Sequence, residues 1–108
     1  MYKLDDKSLS IRNSDESVKV IFFENGSIEF VGEEDACHQL LYENLFKGFF
    51  GCSKHKKWDN TVKFYDSILI NTYLGTIKYI GSYYKELPAP LKRFENKLQR
   101  MNELKSFW

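Results

Sequence analysis

TVKFYDSILINTYLGTIKYIGSYYKEL, residues 61–87, is the stretch on which the architecture turns. Its composition speaks for strands, since Ile, Thr and Tyr recur and two glycines interrupt it. Its spacing speaks for a helix. Val62, Tyr65, Leu69, Tyr73, Ile77, Ile80, Tyr84 and Leu87 step by three or four, while Lys63, Ser67, Asn71, Lys78, Ser82 and Lys85 gather opposite them. Alternation breaks where Ile68, Leu69 and Ile70 run together. Gly75 and Gly81 would each cost about 1 kcal/mol relative to Ala in a helix, yet both fall off the apolar stripe. The spacing therefore predicts a helix over 61–87, with a hairpin turning at Gly75 as the alternative.

Upstream, two β-branched and aromatic runs, Val18 to Glu24 and Ser27 to Val31, flank Asn25-Gly26. Asn-Gly suits a two-residue type I′ turn, in which both central positions take φ > 0. That turn would set Glu24 opposite Ser27, Phe23 opposite Ile28 and Ile21 opposite Phe30, with Ile21, Phe23, Ile28 and Phe30 on one face. Val18, Val20, Phe22 and Val31 would share the other face with Glu29, so the hairpin reads as apolar on both sides. Ser8 to Arg12 adds a third strand through a turn at Asn13 to Glu16. Glu33, Glu34 and Asp35 then favour a helix start. Ala36, Cys37, Leu40, Leu41, Leu45, Phe46 and Phe49 follow at helical spacing, and Gly51 ends the run.

Downstream, Pro88-Ala89-Pro90 breaks whatever precedes it, and Pro90 suits the first turn of a last helix. Leu91, Phe94, Leu98, Met101, Leu104 and Trp108 form its stripe, with Lys92, Arg93, Lys97, Arg100 and Lys105 mostly outside it. The expected fold is α+β: a three-stranded antiparallel meander followed by three helices, in one domain over residues 1–108.

At 43% hydrophobic and 29% charged residues the chain can bury a core without disulfide or metal support. Aromatics reach 17%, enough to fill a core and to leave some on a recognition surface. The net charge of +1 hides an asymmetry. Residues 1–36 hold four basic and nine acidic side chains, a balance of −5, and residues 37–108 hold twelve and six, a balance of +6. No secretory signal or membrane-length apolar run is visible, and two cysteines make no disulfide framework, so a cytoplasmic location is expected.

Candidate chemistry is sparse. Cys37, His38, Cys52 and His55 are the only cysteines and histidines, but adjacent residues of a helix point about 100° apart, which argues against Cys37 and His38 sharing a zinc ion. Cys52, His55 and Asp59 are the one local group worth testing for catalysis, with no oxyanion site beside them. The glycines match no phosphate-binding fingerprint. No metal and no cofactor is expected, and the protein does not read as an enzyme.

What remains is recognition. Residues 51–60 read as a polar connection in which Lys54, Lys56 and Lys57 surround Trp58, an aromatic anchor with a basic rim. Tyr83 is the second expected anchor. The reading is a non-enzymatic protein-binding domain, of the small inhibitor or immunity type, that blocks the active surface of a protein partner such as a toxin or enzyme. The alternative is a nucleic-acid-binding regulator using the basic segment 54–58 and the last helix.

Overall fold

The computed structural model describes residues 2–5, 7–47, 55–58, 61–65, 67–79 and 86–105. Eight strands form two four-stranded antiparallel meanders. The first comprises β1 (Tyr2–Leu4), β2 (Ser8–Arg12), β3 (Lys19–Phe23) and β4 (Ile28–Val31). It is followed by α1 (Glu34–Leu41), which runs into a π-helical turn, Tyr42–Phe46. The second sheet comprises β5 (Lys56–Trp58), β6 (Thr61–Phe64), β7 (Ile68–Asn71) and β8 (Thr76–Tyr79), and α2 (Ala89–Lys105) closes the order.

Three expectations are corrected. The meander has four strands, because Tyr2 and Leu4 pair with Ile11 and Leu9. The second correction is to the Asn25-Gly26 register, which is one residue off the two-residue turn. Phe22 faces Ile28 and Val20 faces Phe30. The loop holds three residues: Ser27 O accepts from Phe23 N–H at 2.9 Å, and of the loop residues only Gly26 takes a positive φ, +84°. A turn followed by one left-handed residue is the three-residue solution for a hairpin. One residue of slip moves every side chain of β4 to the other face. Val20 and Phe22, fully buried, therefore share a face with Ile28 and Phe30, and Ile21 and Phe23 lie half-buried on the other.

The third correction concerns residues 61–87, and it leaves two α-helices in place of three. Those that are described form β6, β7 and β8, as in the hairpin alternative. Between the turns, alternation holds: Val62, Phe64, Ile68, Ile70 and Ile77 are buried, and Leu69 takes the outer face. The three-to-four spacing arose because two turns reset the parity. Each turn contains a left-handed residue, Tyr65 at φ +54° and Gly75 at φ +72°, which a right-handed helix does not admit. The supposed helical stripe thus mixes buried Val62 and Ile77 with Tyr73, which is 54% exposed. Gly81 lies outside the described residues.

The helices that flank this region behave as their sequences suggest. In α1 and its π turn, Cys37, Leu40, Leu41, Leu45 and Phe46 are buried. Phe49 and Gly51 lie outside the described residues. In α2, Leu91, Phe94, Leu98 and Met101 are fully buried, and Pro88 O accepts the first helical bond from Lys92 N–H. Pro90 occupies the first turn, where its missing amide costs nothing. Both sheets and both helices feed one hydrophobic cluster. Phe22 joins them: its ring centroid lies 5.0 Å from that of Phe94 and 6.5 Å from that of Phe64, which is 4.9 Å from Phe46.

A polar clasp adds to this. The Thr72 hydroxyl, fully buried, donates to Phe23 O at 2.5 Å and accepts from Gly26 N–H at 3.0 Å. The β3–β4 turn and the β7–β8 turn are thereby locked together. Among the described residues, no helix is long and apolar enough to cross a membrane.

Gly75 tests this assignment of strands. A Cβ there would lie 2.5 Å from Asn102 Nδ2 and 3.2 Å from the Gln99 backbone, at a φ that alanine adopts only with strain. Gly75→Ala should destabilise by about 2 kcal/mol, seen as a fall of roughly ten degrees in a thermal melt. In a helix the same change would be neutral or stabilising.

Candidate functional site

The outer face of the second sheet carries the most unusual side-chain arrangement. Across the four strands, Lys56 stands opposite Lys63, Lys63 opposite Leu69, and Leu69 opposite Lys78. Register partners share a face, so three lysines and one leucine form a row perpendicular to the strands. Lys56 and Lys78 are exposed, and Lys63 and Leu69 are half-buried. Like charges directly opposite each other cost stability. Lys63 is engaged within the chain, and Lys56 and Lys78 stand exposed on either side of it, a positive potential where an anionic group could dock.

The sequence-level candidates fall around this row. Residues 56–58 are a strand and not a loop, and among the described residues β5 pairs with β6 alone, at the edge of the sheet. Lys56 belongs to the row. Lys57 has the register of Val62 and is nonetheless exposed at the sheet edge, and the backbone of Trp58 pairs with Thr61. Edge lysines also discourage sheet-to-sheet association, so part of their role is protective. Lys54, Tyr83, Cys52 and Asp59 lie outside the described residues. Reading 61–87 as a helix put Lys63 and Lys78 on its polar face and Leu69 on the apolar stripe opposite, which hid the row that the three share with Lys56. Alternation within Val62–Phe64 and Thr76–Tyr79 was the signal that could have aligned them.

The opposite edge of the sheet is closed. Ile77 N–H donates to Glu95 Oε2 at 2.9 Å, and Lys92 Nζ donates to Glu95 Oε1 at 3.0 Å. Glu95 is 8% exposed, and both its oxygens are engaged, so this carboxylate caps an edge amide of β8. A cleft of about 510 Å³ lies beside it, lined by Ile77, Glu86, Leu87, Lys92 and Glu95. The basic residues of α2 are partly committed as well. Lys92 holds Glu95, Lys97 sits 5.0 Å from the centre of the Tyr2 ring, and Arg100 pairs with Glu103 at 2.8 Å.

The cysteine and histidine candidates separate into packing roles. Cys37 is fully buried, with Sγ 3.4 Å from Val31 O. Burial pushes its thiol pKa up, which suppresses the reactive thiolate. His38 and His55 pack against the same ring: their centroids lie 5.2 and 5.3 Å from that of Phe30. His55 also meets Phe64 at 6.0 Å, and His38 Nε2 lies 3.5 Å from Glu34. Among the described residues, no group of three or more His, Cys, Asp or Glu gathers as metal ligands would. His55 is an aromatic plug at the entrance to β5, joining it to β4.

No protein-family model, no curated protein and no solved structure matches the chain. What is known of the site is therefore its geometry: a basic sheet face beside an open edge, on a fold of two clasped meanders.

Burial, reinforced by charge on His38 and opposed by Glu34, pushes the His55 pKa below its ordinary 6.5. The unfolded chain then takes up the proton first, so stability present above pH 6.5 is lost as the pH falls through and below that value. The melting temperature should drop between about pH 7.5 and about pH 5.5. Melts of His55→Phe over the same range should show a distinctly smaller drop.

Proposed function

We propose that this chain is a non-enzymatic protein-binding domain, of the small inhibitor or immunity type, that covers an acidic functional surface of a partner protein. The observation that carries the reading is the lysine row of Lys56, Lys63 and Lys78 with Leu69 set among them. Positive charge around an apolar residue suits an interface in which charges steer the encounter and apolar contact holds the complex. β5, the edge strand among the described residues, lies at one end of the row, where exposed Lys57 extends the charge. Lys54 and Trp58, which flank Lys56 and Lys57 in sequence, and Tyr83 remain candidates for the same interface.

The same row supports nucleic-acid binding as the second reading, since an array of lysines also neutralises phosphates. Two observations favour a protein. The chain is almost neutral overall, and Lys92, Lys97 and Arg100 of the last helix already have intramolecular partners.

A photo-crosslinking residue at position 69, used in the cells that make the protein, separates the readings. A discrete protein adduct is expected. Lys56→Glu with Lys78→Glu should then slow association with that protein about tenfold at low salt, with the difference shrinking as salt rises. Adducts to RNA or DNA, with a mobility shift that collapses as salt rises, would transfer the assignment to the second reading.

A further inference from the structure

The two most exposed large hydrophobic residues among those described are neighbours in one turn. Tyr73 is 54% and Leu74 62% exposed, and they sit at the tip between β7 and β8. Single exposed hydrophobics need no explanation. Two adjacent ones at a turn tip do, because such positions ordinarily carry Asn, Asp, Ser or Gly.

The tip is also held from every side. Thr72, before it, is clasped to Phe23 O and Gly26 N–H of the other sheet. Gly75, after it, takes φ +72° and lies against α2, where a Cβ would come within 3.2 Å of the Gln99 backbone. Within the turn, Asn71 Oδ1 accepts from Leu74 N–H at 2.9 Å and Asn71 O accepts from Gly75 N–H at 2.8 Å. An apolar pair on a rigid support loses little conformational freedom on binding, which is what an anchor requires.

Its position ties it to the lysine row. The turn closes the end of the second sheet just beyond the Asn71–Thr76 pair, and the row lies two residues from that pair in the opposite direction, about 7 Å from it, with the tip farther away. We propose that Tyr73 and Leu74 are the apolar anchor of the interface, inserted into an apolar cavity that acidic groups surround on a partner protein. The proposal rests on the protein-binding reading and names its hot spot.

Charge complementarity selects this occupant. A second copy of the chain docked by the same face would bring lysine row against lysine row, since a two-fold contact repeats one surface on both sides. A nucleic acid could stack a base on the Tyr73 ring, but a single strand offers no apolar cavity to take Leu74 beside it.

Photo-crosslinking at position 74, beside position 69, supplies the test, with the cross-linked protein purified as the probe. Leu74→Ser is expected to weaken its binding about tenfold or more, mainly through faster dissociation, with an unchanged melting temperature. Tyr73→Ala, checked by the same melt, should act in the same direction. Adducts at position 69 with wild-type affinity in Leu74→Ser would overturn the anchor and leave the protein-binding reading standing. Adducts at position 74 but not at 69 would keep the anchor and displace the lysine face. A second copy of this chain as the adduct, or no protein adduct at either position, would overturn the proposal.

Discussion

One hydroxyl group determines how the two halves of this fold meet. Thr72 turns inward from the β7–β8 turn and satisfies a carbonyl and an amide of the β3–β4 turn, in a place with no access to solvent. A buried polar group without a partner costs about 1–3 kcal/mol. Separating the turns without solvating them would therefore expose the Thr72 hydroxyl to that penalty, while Gly26 N–H and Phe23 O would keep only the 3.0 Å bond that they make to each other. The two sheets can be packed by many combinations of apolar side chains, but only one arrangement brings Thr72 onto Phe23 and Gly26. The Phe22, Phe64 and Phe94 rings supply area; the clasp supplies registration between the sheets.

From that constraint the surfaces follow. With the turns locked, α2 lies along β8, and Glu95 occupies an edge amide that would otherwise stand open. Among the described residues β5 is the other edge, and it carries the exposed Lys56 and Lys57. The same geometry holds Tyr73 and Leu74 at the tip of the β7–β8 turn, each more than half exposed. The interface reading thus depends on tertiary packing as much as on the lysines themselves. If the β7–β8 turn were not fixed, its apolar tip would fold back against the nearest hydrophobic surface.

Much of this was legible in the sequence, and the failures have specific causes. α2 was read correctly because Leu91, Phe94, Leu98 and Met101 lie on one uninterrupted face, bounded by prolines. β2, β3 and β4 were legible from β-branched runs, yet their register was not. Asn-Gly accommodates a two-residue and a three-residue loop, and choosing between them requires knowing what covers Phe22. Residues 61–79 misled because turns of short length convert alternation into an apparent period of three to four, and composition, the weaker-looking signal, was the truer one. The candidate site was half visible. Lys56 and Lys57 stood out by their local density, whereas Lys63 and Lys78 belong to the same surface only through strand pairing, which joins residues 7 and 22 positions away from Lys56 in sequence. Thr72 gave no signal, since a threonine in a turn is unremarked until its partner 49 residues upstream is known.

Residue-by-residue amide hydrogen exchange tests the central claim most directly. The Gly26 amide donates to the Thr72 hydroxyl as well as to Phe23 O of its own short turn, and the Ile77 amide donates to the Glu95 carboxylate; a turn bond by itself frays, so only the contacts with Thr72 and Glu95 would keep these amides closed. The account predicts that both amides exchange as slowly as those of the central strands, including Phe22 and Ile70. Exchange of Gly26 and Ile77 at the rate of an open loop, with Phe22 and Ile70 still protected, would contradict it.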